Sequence, residues 1–306
     1  MVKRILDLDT SDIKNMSKEE KLLSIKYGEG RTLMSEVVCT FPPLLGDISN
    51  VELVAAFGAD IILLNFYDVD KPRVEGIPQE EPTRLVERIK EYTGRMIGAN
   101  LEPVDEELLV HDRVSLPKGR LATKENAIKL VEQGIDMVLL TGNPKTGVTN
   151  DKIIQSIKTI KKVVGDELII AAGKMHAAGS LEEVGENLIS KELIESFIDA
   201  GSDIILIPAP GTIPGISLEY ARELIQYCHS QDKLTITSIG TSQEGADEWT
   251  IRNIAINSKM AGTDIHHLGD AGICPGVATP ENIMAYSIAI RGKRHTYRRM
   301  ARSVNR

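Results

Sequence analysis

At 306 residues, with 42% apolar and 26% charged side chains, the chain has the make-up of an ordinary folded protein with ample material for a core. Aromatics amount to only 4%, the net charge is −8, and no apolar run nears the ~20 residues that span a bilayer. A membrane-spanning bundle and an aromatic, basic surface for stacking nucleic acid are therefore not expected.

The chain opens MVKRILD, where two apolar residues meet an acid at once, so no signal peptide is read there. Cys39, Cys228 and Cys274 are odd in number and widely spaced, which points to a reducing compartment, the cytoplasm. Residues 1–30 are expected to form an N-terminal extension whose helix, Ser17–Tyr27, covers the floor of the fold. A first strand is expected at Leu33–Phe41.

From there one pattern recurs: a helix end, Gly-x-Asp, then an aliphatic strand. It appears as Gly58-Ala-Asp60-IILLN, Gly134-Ile-Asp136-MVLLT, Gly201-Ser-Asp203-IILIP and Gly262-Thr-Asp264-IHHLG. Glycine takes the left-handed conformation that closes a helix, and an unbroken aliphatic run marks a parallel strand buried on both faces. The copies lie 61 to 76 residues apart, about two βα units of ~30 residues each. Each interval should hold another strand; Met96–Leu101, Leu168–Ala172 and Leu234–Ile239 fill them. Helix starts are expected at Thr123, Thr149, Ser217 and Thr279-Pro280. Eight strands alternating with helices predict a single (β/α)8 TIM barrel over residues 1–306, with the copies on the even strands. The chain ends in a basic tail, residues 291–306, with seven Lys/Arg and no acid. That tail is read as a solvated or subunit-contacting helix, and a homo-oligomer is expected.

A competing reading starts from ILDLDT at Ile5–Thr10, which resembles the nucleophile motif of haloacid-dehalogenase-type phosphohydrolases. Asp7 and Asp9 would carry the chemistry, with Mg²⁺ on Asp7 and Asp270, although the second acid expected soon after Asp270 is missing.

In a barrel the working groups sit at the strand C-termini. Overlaying the even strands puts Asn65, Thr141, Pro208 and Gly269 in one rim layer, with His267 one layer below and His266 facing the helices. Asn100 and Glu102 at the third strand share a parity; Glu102 suits a general base or metal ligand. Lys174 and His176 after the fifth strand suit acid–base work, and Lys174 a Schiff base. Loops seven and eight are expected to cradle a phosphate, through Gly240, Thr241 and Ser242 and through Gly272 and Gly276. A divalent metal, Mg or Zn, is considered on Glu102, His176, His267 and Asp270.

The segments FPPLLG at Phe41–Gly46, GADIILLNFYDVDKP from Gly58 and GIDMVLLTGNPKTGVTND from Gly134 resemble the BtpA-type and phosphonomutase-like phosphate-binding barrels of bacteria. The BtpA-type pattern has an acid where this chain has Leu64-Asn65. The resemblance implies a barrel that binds a small anionic or phosphorylated metabolite. The expected activity is a lyase, aldolase or isomerase acting on a phosphorylated sugar or keto acid; a non-catalytic metabolite-binding barrel is the other expectation.

Overall fold

The computed structural model describes residues 2–105, 115–142, 146–175, 187–240, 243–274 and 276–305. Eight parallel strands pair in chain order and close, β8 on β1. They are β1 (Thr32–Val38), β2 (Ile61–Asn65), β3 (Met96–Leu101), β4 (Met137–Leu140), β5 (Ile169–Gly173), β6 (Ile204–Pro208), β7 (Leu234–Ile239) and β8 (Ile265–Leu268). Helices α3 (Asn50–Ala56), α4 (Leu85–Thr93), α5 (Lys124–Glu132), α6 (Asn150–Val164), α7 (Lys191–Ala200), α8 (Leu218–Ser230), α9 (Glu248–Ala261) and α10 (Pro280–Met300) follow the strands in turn. Thr123, Thr149 and Ser217 cap their helices through the side-chain oxygen, and Pro280 occupies the first turn of α10. β1 ends earlier than its apolar run suggests. Val38 N–H turns to Gly276 O and Val37 bridges Val277 antiparallel, so loop eight captures the strand end.

The repeated Gly-x-Asp has one structural task, performed four times. Each glycine has a positive φ, between 84° and 111°, that turns the helix into the next strand. Each aspartate then reaches sideways and accepts the backbone N–H of the second residue of the preceding odd strand. Asp60 accepts from Leu33 (2.9 Å), and Asp136 from Ile97, Asp203 from Ile170 and Asp264 from Thr235 (2.8 Å each). These bonds tie the odd strands to the even ones at the barrel floor.

Four buried or half-buried carboxylates need compensating charge. The N-terminal extension supplies part of it. Its helices α1 (Thr10–Lys14) and α2 (Lys18–Lys26) lie beneath the barrel, Ser17 capping α2 as expected. Lys18 meets Asp203 and Lys21 meets Asp136, both at 2.7 Å, while Lys90 joins Asp136 at 2.9 Å. Ile5, Leu6, Leu8, Ile13 and Ile25 close the floor against Met34, Ile61, Met96 and Met137.

The basic tail neutralises Asp60, while Asp264 meets His229 of α8 at 2.9 Å, which corrects the reading of the tail as a solvated helix. Gly292 breaks α10 with φ 73°, and beyond it Arg299 is fully buried. Arg291 meets Asp60 at 2.5 Å and Arg299 meets it at 2.8 Å, while Arg298 and Arg302 reach Asp7 and Asp9. The tail is basic because the floor is acidic.

The phosphohydrolase reading fails for the same reason. Asp9 caps α1 through Asp12 N–H, and Asp7 pairs with Arg4 and Arg298, all at the floor. Asp270 follows β8 at the opposite end. None of the described helices is long and apolar enough to cross a membrane.

Candidate active site at the barrel mouth

The inward parity is the one that places Leu63, Leu139 and Leu206 in the barrel interior, so His267 shares their layer. His266 points the other way and bonds Tyr286 Oη (3.0 Å) and Gly30 O (3.1 Å). Burial pushes its imidazole down to about 3 and keeps it neutral. Above the leucine layer lies a chamber of about 430 Å³ opening at the strand C-termini.

At its base Glu36, from the middle of β1, is buried and held from two sides. Asn65 Nδ2 donates to Glu36 Oε1 at 2.9 Å, and His267 Nε2 stands 3.5 Å from Oε2, longer than a hydrogen bond. The other imidazole nitrogen, Nδ1, shares a 2.7 Å hydrogen bond with Ser238 Oγ of β7. Ser238, His267 and Glu36 are thus successive neighbours, and Glu36 lines the chamber. Asn65 also accepts from Phe66 N–H through Oδ1, which fixes its amide orientation.

The wall over β3 and β4 is built on Glu102. Its Oε1 receives Arg120 Nη2 at 2.5 Å and its Oε2 receives Thr146 Oγ1 at 3.0 Å. The Arg120 guanidinium lies 4.0 Å over the Phe66 ring. Asn100 and Thr141 also face the chamber; Asn100 Oδ1 and Thr141 Oγ1 have no hydrogen-bond partner among the described residues. Glu244, 2% exposed, comes over the rim from the turn after loop seven. It fits because Gly269 has no side chain: a Cβ there would lie 2.8 Å from Glu244 Oε1.

Several expected groups sit elsewhere. Lys174, just past the end of β5, is buried at 3% exposure, and its neighbour Met175 lines the chamber. Gly240 does line it, closely packed, since a Cβ would fall 2.5 Å from Met175 Sδ. Gly272 and Gly276 are not an open anion cradle: both amides donate to Asp270 Oδ1 at 3.0 Å, so the loop's own carboxylate occupies that position. His176, Thr241 and Ser242 lie outside the described residues. Among the described residues no three His, Cys, Asp or Glu side chains come together to hold a metal ion; of the expected set Glu102, His176, His267 and Asp270, His176 lies outside them. The three cysteines are free, and burial raises the Cys39 thiol well above its usual range.

Glu36, Arg120 and Glu244 were not among the expected residues. Glu36 had a visible signal, a lone acid at inward parity in the fully buried strand TLMSEVV. Arg120 and Glu244 lie in loops, where no periodicity marks them.

The architecture and chamber define a (β/α)8 barrel with an acid-lined mouth: Glu36, Glu102, Glu244 and Asp270 against one lining cation, Arg120, among the described residues. Residues 6–306 match the family described as "Domain of unknown function (DUF7916)", and the chain belongs to that family. A comparison with curated protein sequences finds no match. Among solved structures, an archaeal fructose 1,6-bisphosphate aldolase is 13% identical with a TM-score of 0.57, covering 89% of this chain and 98% of that one. A 2,3-dimethylmalate lyase, a PEP mutase/isocitrate lyase superfamily member, is 15% identical with a TM-score of 0.50, covering 83% and 78%. At these identities the likeness is one of fold.

Proposed function

We propose that the protein is an enzyme that moves protons on a small hydroxylated or keto-acid metabolite with a phosphate or carboxylate end, in a lyase, aldolase or isomerase type of reaction at the mouth. The observation that carries this reading is the Ser238–His267–Glu36 line ending in the chamber. A carboxylate held at a cavity base by an amide and backed by an imidazole suits removal of a proton from a substrate carbon or hydroxyl. His267, oriented by Ser238, offers a second proton position behind Glu36. Asn100 and Thr141 supply polar atoms for substrate hydroxyls, and the Glu102–Arg120 pair gives one fixed wall. Lys174 chemistry through a Schiff base is not favoured, because its neighbour Met175 takes the lining position. The aldolase and the lyase named above agree with the reaction class.

The test is solvent exchange. Candidate phosphorylated sugars and keto acids are incubated with the protein in D₂O and followed by proton NMR for loss of a C–H signal or for new products. The expected result is that the wild type exchanges or converts one of them, and Glu36→Gln slows this by a factor of about 10²–10⁴, the usual contribution of a general base. Turnover that survives Glu36→Gln but is trapped by borohydride on Lys174 overturns the reading. Binding with no exchange by any candidate identifies a non-catalytic metabolite-binding barrel instead.

A further inference from the structure

Beside the chamber lies a second cavity of about 240 Å³, formed by the loops after β1, β2 and β3. The two cavities share Phe66 and Arg120, which form the wall between them. We propose that this side cavity is an oxyanion subsite, with Lys71 as its principal charge, that receives the phosphate or carboxylate end of the substrate while the reactive end enters the chamber. The substrate part of this inference rests on the enzymatic reading above; the subsite itself does not.

Charge decides the placement. An anionic group in the chamber would face Glu36, Glu102, Glu244 and Asp270, with Arg120 already engaged by Glu102. Like charges at such distances repel strongly where water is scarce. The usual alternative, the glycine amides of loop eight, is occupied by Asp270 Oδ1. The side cavity is lined by three cations, Lys71, Arg73 and Arg120, against two carboxylates: Asp68, whose Oδ1 accepts Asp70 N–H at 2.9 Å, and Glu75, which grips Arg73 at 2.9 and 3.2 Å. Lys71 has no ion-pair partner among the described residues, and the Arg120 guanidinium borders the same space.

The site is also built rather than incidental. Phe66 is held at φ 60°, a left-handed conformation that bulky residues avoid, and its ring lies under Arg120. The turn carrying Lys71 is pinned: Val69 N–H donates to Gly119 O, Gln133 Nε2 donates to Val69 O, and Lys71 N–H donates to Asp68 O. Gly119 has no room for a side chain, since a Cβ would fall 1.8 Å from Asp68 Oδ1, so the segment leading to Arg120 packs directly on this turn. Lysine on a fixed turn, lining a cavity that shares a wall with the reaction chamber, is a preorganised anion contact.

The experiment measures inorganic phosphate, and separately acetate, binding to the full chain by isothermal calorimetry and by thermal shift. The wild type is expected to bind at least one of the two, phosphate if the metabolite is phosphorylated and acetate if it is a carboxylate. Lys71→Ala is expected to weaken that binding about tenfold or more, and Lys71→Arg to restore most of it. Lys71 is exposed, so an unchanged melting temperature without anion shows that the variant folds. No binding of either anion by the wild type overturns the proposal, as does Lys71→Ala binding like the wild type or a loss seen only in Thr241→Ala. Glu36→Gln should bind the anion as the wild type does. Failure of the subsite therefore leaves Glu36-dependent exchange intact, and failure of the enzymatic reading leaves anion binding intact.

Discussion

Asp60 offers a stringent test of the barrel floor, because the four repeat aspartates make the same backbone bond but meet different cations. Asp60 and Arg291 are both fully buried, Arg299 is 1% exposed, and Arg95 lies buried against the Arg299 carbonyl. Three guanidiniums thus surround one carboxylate. Burial pushes Arg95 well below the usual arginine range and Arg299 down to about 10, in each case with repulsion from a neighbouring arginine adding to it. Asp60→Asn keeps an oxygen for Leu33 N–H but removes the negative charge that Arg291 and Arg299 pair with. Breaking a buried pair from one side costs about 3–5 kcal/mol, a large share of a total stability of about 5–15 kcal/mol. Asp264→Asn is the matched control. Its partner His229 is 41% exposed, and pairs that meet solvent contribute ~0–1 kcal/mol. Urea unfolding of both variants, followed by circular dichroism and extrapolated linearly, should show Asp60→Asn the less stable by about 3 kcal/mol. Equal losses within about 1 kcal/mol would falsify the claim that the basic C-terminal segment exists to neutralise the floor.

Two further outcomes follow from the same geometry. His229 has its pKa raised, chiefly by the hydrogen bond to Asp264, so its contribution is fully present below the unfolded-state value near 6.5 and fades as pH rises through the folded-state value. His229→Gln should flatten the stability–pH curve across that window, and an unchanged curve refutes the pairing. Gly173→Ala would place a Cβ 2.1 Å from Leu206 O, a backbone atom that cannot yield without parting β5 from β6. A loss of at least ~1–3 kcal/mol in urea unfolding is expected from such overpacking, and a neutral effect would show that the two strands are not in this register.

The barrel was legible in the sequence because its evidence is local and repeated. Gly58, Gly134, Gly201 and Gly262 mark helix ends by a backbone conformation that other residues avoid, and the aliphatic runs after them mark buried parallel strands. Thr123, Thr149 and Ser217 announce helix starts through bonds to amides three residues away. Parity along single strands put Asn65, Asn100 and Thr141 at the rim, and all three line the chamber.

What the sequence did not reveal depends on partners far apart in the chain. The arginines after residue 290 looked like a solvated tail, since nothing near them is acidic; their partner Asp60 lies more than two hundred residues away. Gly272 and Gly276 looked like an anion cradle until Asp270 was found holding both amides. Lys174, just past the end of β5, is buried, while its neighbour Met175 lines the chamber. Local composition decides which backbone conformations a segment favours, and that was enough to specify the scaffold. Charge neutralisation and the direction of a loop side chain are properties of pairs, and only chain closure brings the members of a pair together.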